Sequence, residues 1–93
     1  MVTESNIKKI RSGWNEFLFG RSGATEYVAK KVGCSKQTVL NALSIDKPLS
    51  KLHPAEINAL EAVAELTEAV KKSPGLVLTA LKERCYEPIE RII

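Results

Sequence analysis

Apolar residues recur every three or four positions through most of this chain, and nowhere do they alternate. That spacing lines one face of an α-helix, whereas a half-buried strand needs strict alternation. Glycine and proline cut the pattern into segments. Ile7, Ile10, Trp14, Phe17 and Leu18 form the first stripe, in a helix capped by Ser5 and running to about Phe19. Lys8, Lys9 and Glu16 fall off that stripe, and Gly20-Arg21-Ser22-Gly23 ends the helix. Two short helices, about 25–32 and 36–44, flank Gly33-Cys34-Ser35, and a loop containing Pro48 covers 45–53. Pro54 opens a long helix to about residue 72, because its missing N–H would be unpaired in a first turn anyway. Ile57, Leu60, Val63, Ala64, Leu66 and Val70 make its apolar face. Ser73-Pro74-Gly75 breaks it, a fifth helix spans about 76–86, and a short tail with Pro88 follows. The expected class is all-α, with about five helices and no internal repeat.

A chain of 93 residues has room for a single compact domain with a thin core, which pairing of two copies would help to stabilise. Its charge is unevenly placed. Residues 1–52 carry nine Lys/Arg against four acids, a net of +5, and residues 53–93 carry five against seven, a net of −2. The whole chain is +3, with a pI near 9.0. A basic half for a polyanion and a second half for helical packing or oligomerisation is the division this implies.

The same composition excludes other classes. Cys34 and Cys85 are too few for an all-cysteine metal site, and His53 lies far from both in sequence. We read no secretory signal and no apolar run of membrane-spanning length, so a cytoplasmic location with reduced thiols is expected. No nucleophile–base set, carboxylate–histidine spacing or phosphate-binding loop occurs. The sequence therefore leads us to expect no enzymatic activity, cofactor or metal, and it holds no sign of a small-molecule ligand. His53 is expected to cap the long helix or face solvent, and Trp14 to lie in the core.

The informative stretch is Thr25 to Ser44. A helix-turn-helix needs a small residue where its two helices cross, and Ala29 is there. It needs a residue that accepts positive φ four positions later, and Gly33 is there. Cys34 follows as a small inward hydrophobe and Ser35 as a cap for the second helix. Val28 and Val32 bury the first helix, and Val39, Ala42 and Leu43 the second. Any helix–glycine–helix corner would share these features. What separates this one is polarity: Lys36, Gln37 and Asn41 lie outward near the start of the second helix, where a structural helix would more often carry Glu and Ala.

The segment Val28-Ala-Lys-Lys-Val-Gly-Cys-Ser-Lys-Gln-Thr-Val39 resembles the helix-turn-helix of small phage regulators of the Cro, CII and repressor type. Its Ser35-Lys-Gln-Thr-Val39 part is also similar to the recognition segment of LacI-type headpieces. The resemblance spans residues 25–44 only. A whole helix precedes the motif here, an order closer to the phage regulators than to the LacI type. It implies a lambda-repressor-like fold and a sequence-specific regulator of double-stranded DNA, a repressor of phage or mobile-element type. In such regulators the carboxy-terminal helices commonly form dimers or tetramers.

The resemblance places Lys36, Gln37 and Asn41 against base edges, and Leu40 lies on the same face. The chemistry agrees: Gln and Asn pair with adenine, Lys donates to guanine, and an apolar side chain can meet a thymine methyl. Leu40 departs from the polar residue usual in the LacI type, and an extra core contact from a rotated helix is its other reading. Thr25, Ser35, Thr38 and Ser44 near helix ends, with Arg21, Lys47 and Lys51, are candidate phosphate contacts. Leu78, Leu81, Ile89, Ile92 and Ile93 are the candidate homodimer surface, or else fold back into the core. The competing function is a protein-interaction module, an anti-repressor or adaptor, in which the corner is only scaffold.

Overall fold

The computed structural model describes residues 2–93, apart from the Ser22 side chain. Its described residues form six α-helices and no strand: α1 (Ile7–Phe17), α2 (Ser22–Val32), α3 (Lys36–Ala42), α4 (Pro54–Lys72), α5 (Pro74–Glu83) and α6 (Glu87–Ile92). A 3-10 turn at Leu49–Lys51 interrupts the loop between α3 and α4.

α4 is the hub. It packs against α1, α2, α3, α5 and α6. The single apolar face expected for it is too narrow: Ala59, Ala62, Thr67 and Ala69 are buried with Leu60, Val63, Leu66 and Val70, while Ile57 and Ala64 are half-buried. Alanine on so many sides lets neighbouring helices approach closely, which a one-stripe reading misses. Thr67 is tolerated inside because its hydroxyl donates to the Val63 carbonyl at 2.8 Å.

Several boundaries differ from those expected, each for a local reason. α1 begins at Ile7 because Thr3 and Asn6 bond reciprocally, with the Thr3 N–H donating to Asn6 Oδ1 at 2.7 Å. Ser5 contacts the Thr3 hydroxyl instead of capping the helix. α2 starts three residues early, since Ser22 and Gly23 are helical rather than part of the turn. A Cβ on Gly23 would run into the Leu81 carbonyl oxygen, so this glycine permits a close approach of α2 to α5. α3 ends at Ala42, two residues early. Only Ser73 separates α4 from α5, because Pro74 and Gly75 fit the first turn of the next helix.

The tail is a sixth helix. Pro88 is compatible with its first turn, and Ile89, wholly buried, holds it on the core. Polar bonds then fasten it to α2. The Tyr27 hydroxyl donates to Glu90 at 2.8 Å, and the Lys31 ammonium reaches the same carboxylate at 3.1 Å. The Tyr27 and Tyr86 rings meet edge-on at 5.3 Å, and Arg84 pairs with Glu26 at 2.8 Å. Burial, then the Glu90 carboxylate, pushes the Tyr27 hydroxyl pKa well up, while the Tyr27 and Lys31 bonds hold Glu90 below the usual carboxylate range. Glu90 and Arg84 of the second half thus meet charged or polar partners on α2.

Candidate nucleic-acid interface

α3 is positioned from both ends. At its start, Gly33 adopts the left-handed conformation (φ 80°), and the N–H groups of Gly33 and Cys34 both donate to the Ala29 carbonyl, at 2.9 and 3.0 Å. The chain reverses there, and Ser35 Oγ accepts from the Thr38 N–H at 3.1 Å. Val39 and Ala42 are wholly buried, and Val32, Cys34 and Leu43 pack on the core. Ala29 is buried as well, and Cys34 is half-buried.

The far end carries a feature that sequence reasoning missed. Arg11 of α1, only 6% exposed, donates from Nε and Nη2 to the Ala42 carbonyl at 3.1 and 3.0 Å. A cation on the last carbonyl of a helix satisfies an acceptor the helix cannot, and it opposes the negative end of the helix dipole. The signal was present: Ile7, Arg11, Trp14 and Leu18 share the spacing of one helical face, so Arg11 lies on the buried stripe. Its charge hid it.

With α3 so held, Lys36, Gln37, Leu40 and Asn41 are exposed. Leu40 is 49% exposed, so the rotated-helix reading fails and the side chain stands among polar neighbours. Gln37 Nε2 donates to Asn41 Oδ1 at 3.0 Å, one turn apart on the same face. The Lys36 charge also reaches back to α2. Glu26 is held below the ordinary carboxylate pKa by its Arg84 bond first, with Lys36 and Lys30 adding to the effect.

The expected phosphate contacts divide. Arg21, Ser35, Ser44 and Lys51 are exposed, while Thr25 and Thr38 are half-buried, with Thr25 in the first turn of α2 rather than at its boundary. Lys47 has another task. Its ammonium lies 2.9 and 3.1 Å from the carboxylate of Glu56, which is 3% exposed. Burial pushes the Glu56 pKa up, but the His53 backbone N–H at 2.9 Å and Lys47 outweigh it and hold the group below its usual range. His53 stands at the N-cap of α4.

Of the residues expected to pair two chains, Leu81 and Ile89 are core residues of the single chain, Leu78 and Ile92 are half-buried, and Ile93 is exposed. Cys34 and Cys85 are free thiols, and no three metal-ligating side chains gather among the described residues. Nor is any described helix long and apolar enough to cross a membrane. No protein family, curated protein or solved structure matches this chain.

Proposed function

We propose that this chain is a sequence-specific DNA-binding regulator whose α2 and α3 act as a helix-turn-helix, with α3 entering the major groove. The observation that carries this reading is the exposed row Lys36, Gln37, Leu40 and Asn41 on a short helix fixed at both ends. Readout by hydrogen bonding needs side chains that face outward on a rigid support, because the energy of a bidentate pair depends on its geometry. Gln37 and Asn41 would exchange their mutual bond for adenine edges, Lys36 would donate to guanine, and Leu40 would meet a thymine methyl. Arg21, Ser35, Ser44 and Lys51 are the exposed phosphate contacts in this scheme, while Lys47 is already paired with Glu56.

One short helix reads only a few base pairs, so two copies would bind half-sites about 34 Å apart along one face of the duplex. Leu78, Ile92 and Ile93 are the remaining apolar candidates for pairing. Repression by occlusion of a promoter, in the manner of a phage or mobile-element regulator, is the corresponding mechanism.

A second reading has its own observation. Phe19 is 76% exposed and Leu76 51%, as a protein-interaction module would require. Selection of bound duplexes from a random pool, at about 150 mM salt where non-specific affinity is weak, decides between them. An enriched inverted repeat with half-site centres one helical turn apart is expected. No enrichment by the folded protein would contradict the DNA reading and favour the module.

A further inference from the structure

Arg11 does more than its bond to Ala42 requires. A guanidinium buried this deeply ordinarily meets a carboxylate, because an unpaired buried charge is costly. Among the described residues no carboxylate lies within ion-pair distance of it. Nε and Nη2 both go to the Ala42 carbonyl, which leaves Nη1 with no acceptor among those residues. Nor is Nη1 sealed away, since no buried side-chain nitrogen lacks a partner. Arg11 also lines a cavity of about 450 Å³ between α1 and the loop after α3.

That cavity has the make-up of a small-ligand site: an apolar body with a few polar groups and a suitable volume. Ile7, Ile45 and Leu49 supply the apolar wall, and Arg11 the buried cation. The loop forming the far side is anchored, because the Lys47–Glu56 pair and the buried Leu52 tie it to α4. Glu4 and Asp46 also line the opening, both exposed, with Lys8 beside them. Two acids at the mouth disfavour a dianion such as phosphate, while a single guanidinium matches one carboxylate.

We propose that this cavity binds a small organic monocarboxylate, its carboxylate on Arg11 and its apolar body against Ile7, Ile45 and Leu49. Because Arg11 also holds the end of α3, occupancy is felt at Ala42. The regulatory consequence, an effector acting on DNA readout, rests on the function proposed above; the binding site does not.

Titration of the ¹⁵N-labelled full chain with sodium butanoate, at constant ionic strength and without DNA, tests the site separately from that function. Saturable shifts are expected at the amides of Lys8, Arg11, Ile45 and Leu49, with a further shift at Leu43. Butanamide, the neutral isostere, should bind about tenfold more weakly, having lost the charge-assisted bond. Ile45→Glu, which puts a negative charge on the partly exposed apolar wall, should weaken butanoate, and Asp46→Asn, which removes a screened rim charge, should strengthen it, each by a few-fold. Absent or unsaturable shifts, equal response to butanoate and butanamide, tighter binding of inorganic phosphate, or indifference to both variants would each overturn the proposal.

Discussion

α3 and α4 are neighbours built on opposite terms. α4 has 19 residues and is wrapped by the other helices, so its side chains are spent on packing. α3 has seven residues, buries Val39 and Ala42, and leaves most of its other side chains in solvent. An isolated helix that short would not persist in water. It exists because Gly33, Ser35 and Arg11 fix its two ends and Val39 and Ala42 seat it on α4. Stability should therefore reside in α4 and chemistry on the outer face of α3, and substitutions should separate the two.

The largest effects belong to the hub. Leu66→Ala, which opens a cavity in a wholly buried site, is expected to cost about 3–4 kcal/mol in urea denaturation. Gly23→Ala should follow at about 2–3 kcal/mol, because the added methyl meets backbone at Leu81 rather than a side chain that can move. A stable Gly23→Ala protein would show that α2 and α5 are not held as closely as described.

Lys47→Met comes next, at about 1–2 kcal/mol near neutrality, since it strips a buried acceptor of its charged donor. It also carries a pH signature. Glu56, Glu26 and Glu90 all have folded pKa values below the ordinary 4.5, so their stabilisation is complete above that value and is lost as pH falls through the folded values. Without Lys47 the Glu56 pKa rises, and the acid unfolding transition should move to higher pH. Circular dichroism against pH reads this directly. An unmoved transition would mean that the pair is not formed in solution.

Arg11→Met should cost only about 1 kcal/mol globally, as lost hydrogen bonds are partly offset by relief of a buried charge. Its mark should be local: faster amide hydrogen exchange in α3 than in α4. Uniform acceleration through both helices would remove the distinction between them.

Much of this was legible beforehand, and the gaps have physical causes. Ala29, Gly33, Ser35 and Val39 announced the corner because turn and cap chemistry is local and each residue type answers one requirement. Pro54 marked the start of α4 for the same reason. α6 was hidden because six residues containing a proline have little helical preference of their own; burial of Ile89 and the bonds of Glu90 to α2 form it. Arg11 was passed over and the partner of Lys47 unforeseen, because a charge in a sequence reads as solvent-facing until its acceptor is known, and Ala42 and Glu56 lie 31 and 9 residues away.

The most direct measurement pairs affinity with stability in Gln37→Ala and Asn41→Ala. Neither side chain touches the core, so denaturation should shift by less than about 0.5 kcal/mol. Binding to the selected duplex should weaken by about 1–3 kcal/mol, while binding to unrelated duplex stays unchanged. Equal loss on every DNA sequence, or a loss that follows a fall in stability, would contradict a reading face on α3 separable from the fold that holds it.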